Sequence, residues 1–176
     1  MAQLKAMAAE AGFTHAGPLD VSTIRLLDEV RNMCAANSCG AYGHNWSCPP
    51  ACGELDELRR SLSNYHTGLL VQTVGELEDE FDGEGMMETE AEHKRHFALL
   101  HERLLERWPG LLALGAGTCR RCAKCTYPDA PCRFPDKRVS SMEAYGMLVL
   151  EVCKANDMQY YYGPRSIAYT SCFLLE

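Results

Sequence analysis

Apolar positions recur along the chain at helical and strand periods, and these periods predict its elements. Leu4, Met7, Ala8 and Ala11 share one helical face, which predicts a helix over 3–11 with Gly12 as its stop. Phe13 to Leu19 reads as a short strand, weakened by Gly17-Pro18. Asp20 or Ser22 is expected to cap a second helix, with Ile24, Leu27 and Val30 on one side and Cys34 at its end. Gly53 opens a short helix carrying Leu55, Leu58 and Leu62 on one face, and residues 66–74 read as a buried strand. The longest helix is expected over 86–108, where His93, Phe97, Leu100, Leu104 and Trp108 form an apolar stripe ended by Pro109-Gly110. His96 and His101 are expected on its exposed side.

Leu111 to Leu114 is a further strand. Ser140-Ser141-Met142-Glu143 matches a capping box, which predicts a helix with Met142, Tyr145, Val149 and Val152 on one face, ending near Asn156. Tyr160 to Glu176 is rich in β-formers, and Gly163-Pro164 divides it into a turn and a final strand, or a hairpin. Strands separated mostly by helices predict an α/β (α+β) fold: a small central β-sheet flanked by helices. Residues 1–176 are expected to form one domain, with two cysteine-rich metal-binding loops meeting at one end of the sheet.

Cysteine changes this picture most. Eight of the ten cysteines fall into two groups of four. The second group is Cys119-x2-Cys122-x2-Cys125-x6-Cys132, followed by Phe134-Pro135. Three thiolates two residues apart on a tight loop turn towards a common point, and this spacing fits iron–sulfur ligation better than the two distant pairs of a zinc ribbon. Free or redox-active thiols are the remaining reading. The first group is Cys34-x4-Cys39-x8-Cys48-x3-Cys52, in which Gly40 and Gly43 permit tight turns and Pro49-Pro50 stiffens the chain. Two groups suit two clusters, or one cluster and one zinc. Cys153 and Cys172 are expected to be buried packing residues. His44, inside the first loop, is a candidate ligand or proton donor.

Charge and motif content limit the alternatives. The formal net charge is −7, which argues against binding nucleic acid through bulk charge. The N-terminus does not read as a signal peptide, and no apolar run reaches the ~18 residues of a membrane span. A cytoplasmic protein is expected, in which closely spaced cysteines mean metal rather than disulfides. Arg120, Arg121, Lys124, Arg133, Lys137 and Arg138 surround the second group; they offset a cluster's negative charge, face an acidic partner, or are simply exposed bases. The acidic run from Glu76 to Glu84 reads as a solvated loop and not an EF-hand. Glu90-x2-His93 is half of a di-iron signature whose second half is missing. Gly115-Ala116-Gly117 follows a strand as a dinucleotide loop does, but Arg120 stands where the third glycine belongs.

At two blocks the sequence resembles the family of predicted metal-binding proteins known as domain of unknown function 2284. One is Cys39-Gly40-x-Tyr42-Gly43-x-Asn45-Trp46-x-Cys48-Pro49-Pro50, with Cys34 upstream. The other runs from Cys119 through Cys132-Arg133-Phe134-Pro135 to Ser141-Met142-Glu143-Ala144-Tyr145-Gly146. The resemblance implies metal binding and no particular reaction. It extends to Cys34, Cys39, Cys48, Cys119, Cys122, Cys125 and Cys132, whereas Cys52 enters from the grouping alone. The expectation is one or two [4Fe–4S] clusters acting in electron transfer with a redox partner protein. An iron–sulfur enzyme with an open iron acting on a small substrate is one alternative, and a zinc-binding structural or interaction module is another.

Overall fold

The computed structural model describes residues 1–176. Helix α1 (Ala2–Ala11) ends where Gly12 turns left-handed at φ 104°, a conformation glycine adopts without a Cβ penalty. Strand β1 (His15–Leu19) then runs to a 3₁₀ turn at Val21–Thr23, which Asp20 caps through the Ser22 amide. The expected Asp20 cap therefore serves this turn, and α2 starts later, at Asp28–Ala35, with Cys34 in its last turn. Chain direction changes between them because Leu27 N–H donates to Gly146 O. Helix α3 (Leu55–Leu62) carries a reciprocal cap between Glu54 and Glu57. Strand β2 (Thr67–Glu76) follows, then α4 (Gly83–Leu105), whose N-terminus Asp82 caps through the Gly85 amide. The acidic segment is thus short, and part of it initiates the long helix.

Strands β3 (Leu112–Gly115) and β4 (Ser140–Ser141) flank the second cysteine loop. The capping-box reading of Ser140 to Glu143 is corrected here. Ser140 and Ser141 form a strand, Ser141 Oγ accepts from Ala144 N–H, and α5 begins only at Val149–Ala155. Met142 and Tyr145 lie in the 3₁₀ segment before it. The tyrosine-rich end resolves into one long strand, β5 (Ser166–Leu175), rather than a hairpin.

The sheet order is β1-β2-β5-β3-β4, with every pairing antiparallel except β3 with β4. Alternate residues of β2 and β5 enter opposite cores, as the pleat requires. Leu70, Cys172 and Leu174 face Leu55, Leu58, Leu62, Val149 and Val152 of α3 and α5. Leu69, Val71, Phe173 and Leu175 face Leu4, Ala8, Phe97, Leu100 and Leu104 of α1 and α4. Helices therefore cover both faces of an open mixed sheet, the α+β architecture that the pattern predicts. No helix is long and apolar enough to cross a membrane.

The stripe on α4 hides a polar element. His93 is fully buried, with Nδ1 3.1 Å from Thr73 Oγ1 and Nε2 2.6 Å from Ser171 Oγ. His96 Nδ1 lies 3.1 Å from the same Thr73 hydroxyl. A hydroxyl has one proton, so Thr73 donates to one imidazole and accepts from the other. The exposed placement expected for His101 fails: it is buried beside Phe97 and Phe173. His96 is half-buried, not exposed.

Candidate metal centre

Two of the first four cysteines, Cys34 and Cys52, lie against the turn before α5. Cys34 Sγ lies 3.9 Å from Glu143 O and Cys52 Sγ 3.6 Å from Ala144 O. Arg31, one turn before Cys34 on α2, fixes this junction by donating to both Ala144 O and Gly53 O. Between them the chain folds back on itself. Gly40 and Gly43 adopt positive φ, Gly43 N–H donates to Pro49 O, and Cys52 N–H donates to Cys48 O. That last bond spans four residues and brings Cys48 and Cys52 to one side. Cys48 and Cys52 are buried, Cys34 is half-buried and Cys39 is exposed.

The electrostatics record how close these thiols are. Burial pushes the Cys34 thiol up, Glu143 adds to this, Arg31 opposes it, and Cys39 and Cys48 add further. Cys48 is raised by burial, with Cys39 and Cys119 adding to the effect against hydrogen bonds from Ser47 and Thr118. Cys52 is raised by burial, with Arg31 opposing and Cys48 and Cys34 adding. At Cys34, Cys48 and Cys52 burial and neighbouring thiolates both disfavour the charged form, which a bound cation would favour. That donor chemistry fits a metal.

The second group is more compact. Cys119, Cys122, Cys125 and Cys132 line one small cleft together with Trp46, Phe134 and Arg138. The six-residue gap before Cys132 closes on itself: Ala130 N–H donates to Thr126 O, Thr126 Oγ1 to Pro131 O, and Arg133 Nη1 to Lys124 O. Trp46 N–H donates to Cys125 Sγ at 3.5 Å, the type of amide–sulfur bond that stabilises thiolate ligands.

Residues 45–48 of the first loop are wedged against the second. Asn45 Nδ2 donates to Cys119 O at 3.3 Å, and Cys119 N–H donates to Ser47 Oγ at 3.4 Å. Cys48 Sγ lies 3.9 Å from Thr118 Oγ1. Trp46 Nε1 donates to Ala130 O at 3.0 Å, and its ring meets Tyr127 edge-on at 4.9 Å. The two cysteine groups are therefore neighbours joined by this segment. No three His, Cys, Asp or Glu side chains stand together at single-ion spacing; tetrahedral zinc would need sulfurs about 3.8 Å apart, from Zn–S bonds of about 2.3 Å. His44 is exposed on a shallow cleft shared with Cys119, Cys122 and Cys125. Cys153 and Cys172 lie in the core, away from both loops. Arg31, Asn45, Trp46 and Thr118 were not among the predicted site residues. Asn45 and Trp46 stand in the family-like block around Cys48, and Arg31 and Thr118 lie within three residues of a cysteine, which were the available signals.

Fold and cysteine content together define a thiol-rich protein of the α+β class. The chain belongs to the family described as "Predicted metal-binding protein (DUF2284)", which matches residues 17–175. Comparison with curated proteins and with solved structures finds no match in either.

Proposed function

We propose that the chain is an iron–sulfur protein, with a [4Fe–4S] cluster held by Cys119, Cys122, Cys125 and Cys132 and a second by Cys34, Cys39, Cys48 and Cys52. It works in the reducing cytoplasm as an electron carrier for a partner protein. The observation that carries this reading is the single cleft lined by all four cysteines of the second group, with the Trp46 amide on Cys125. Three thiols in a C-x2-C-x2-C loop plus one outlying cysteine form a ligand set of the ferredoxin type. The two-residue spacing of Cys119, Cys122 and Cys125 favours a cluster over zinc, whose ribbons use two distant C-x2-C pairs.

A bound cluster would supply one-electron redox chemistry. The chain's own residues set its conditions. Arg121 and Arg138 beside the second group favour the more negative, reduced state. Arg120, Lys124, Arg133 and Lys137 are exposed around it and offer an acidic redox partner a complementary face. The Asn45–Cys48 segment joins the two groups and gives electrons a short path between them.

Anaerobic purification followed by iron, sulfide and zinc analysis tests the proposal. Matching iron and sulfide with a broad brown absorption band is expected, and Cys125→Ala should lose the second group's share of both. Zinc without sulfide would overturn the assignment and leave a structural module.

A further inference from the structure

Between α4 and the loop after β3 lies a cleft of about 380 Å³, within the size range of small-ligand sites. Phe97, Ala98 and Val139 give it apolar surface, and residues Gly115 to Thr118 line its other wall. That wall is short of partners. Cys119 N–H is used by Ser47, but the amides of Ala116, Gly117 and Thr118 make no hydrogen bond within the chain. Backbone amides are obligatory donors. Gly117 is left-handed at φ 71°, and successive amides in such turns form concavities that hold anions.

The charge of the cleft agrees. Lys94, Arg120 and Arg121 line it, and the Glu90 carboxylate stands at its edge, 3.5 Å from where a Cβ on Gly117 would lie. Lys94 is paired with Glu90, and Arg121 with Glu102 at 3.5 Å, whereas Arg120 has no ion pair. The glycine loop is not a dinucleotide site, because it runs into the cysteine loop and not into a helix. Cys119 also lines the cleft, so a ligand there would lie against the second cysteine group.

We propose that this cleft binds a small organic anion, a carboxylate or phosphate on a compact apolar body. The oxyanion sits on the Ala116–Thr118 amides and Arg120, and the apolar body packs on Phe97, Ala98 and Val139. This gives the chain a ligand site contiguous with its cysteines, beyond an electron-carrier role, and it does not depend on which metal they hold.

The test uses the protein as purified, with its metal content measured on the same sample. Titrations with benzoate, phenyl phosphate, inorganic phosphate and benzyl alcohol are followed by calorimetry and amide NMR. Benzoate or phenyl phosphate should bind and shift the amides of residues 115–118, and the tighter of the two identifies the head group. Arg120→Gln should weaken binding about tenfold, the loss expected for one charge-assisted hydrogen bond. Ala98→Phe, which fills the cleft from the half-buried face of α4, should abolish it. The proposal is overturned if neither acid binds, if benzyl alcohol or inorganic phosphate binds as tightly as the acids, or if a folded Ala98→Phe protein binds unchanged. Loss of iron–sulfur content would show separately in the metal analysis.

Discussion

Lowering the pH should destabilise the fold through His93, by an amount the structure sets. Its imidazole is fully buried between Thr73 and Ser171, and burial, then His96 and Lys94, hold its pKa down to about 3 from an ordinary 6.5. The native state therefore keeps it neutral, while the unfolded chain binds a proton below pH 6.5. The contribution is fully present above that value, declines as pH falls, and levels off near pH 3. At about pH 5 the unfolded imidazole sits roughly 1.5 units below its pKa, and at 1.36 kcal/mol per unit the loss is about 2 kcal/mol. His101 is also buried, and burial and then Arg121 lower it to about 4, so it acts in the same direction. A further loss of about 2 kcal/mol makes the pair's share substantial for a domain stable by roughly 5–15 kcal/mol. The assay is urea unfolding at about pH 7.5 and pH 5 for the wild-type protein and His93→Gln. The glutamine variant keeps a polar side chain but cannot titrate. It should start less stable and then lose about 2 kcal/mol less than wild type over the same interval. Contributions from the cysteines and their metal are common to both proteins and cancel in the difference. Equal losses in the two proteins would refute the reasoning.

Two further outcomes follow from the packing. Arg31→Ala removes both bonds tying α2 to Ala144 O and Gly53 O; it should cost about 1–3 kcal/mol for the unsatisfied carbonyls and lower metal bound by the first group, whereas unchanged metal content by elemental analysis would remove Arg31 from the site. Leu100→Ala empties a fully buried position between α4 and the sheet, and chemical denaturation should show a loss of about 2–5 kcal/mol; a loss well under 1 kcal/mol would mean that α4 does not pack as described.

The central sheet, its helical layers and the two groups of four cysteines follow from features that are local in the sequence. Apolar period alone places Leu69, Leu70 and Val71 in a strand and Phe97, Leu100 and Leu104 on one helical face, because backbone geometry fixes which residues share a side. Cysteine spacing alone marks the loops that gather thiols. Polar residues at element ends were less legible. Ser140 and Ser141 carry a helix-cap signature, yet pairing with Leu114 and Gly115 makes them a strand. Asp20 has the side chain of a helix cap but caps a single 3₁₀ turn. His101 has a polar side chain that reads as exposed, and only the packing of α4 against β5 buries it.

The site divides along the same line. Which sulfurs share a cleft, how Arg31 braces the first group, and how Asn45, Trp46 and Ser47 join it to the second depend on contacts as many as 113 residues apart. The cleft beside Cys119 depends on α4 lying across the loop after β3. Such contacts are selected by the packing of whole elements, which a pattern read along the chain does not encode. The sequence alone determined the donors and the elements that carry them; the tertiary structure decided which donors meet, which histidines are kept from water, and where a ligand has room to bind.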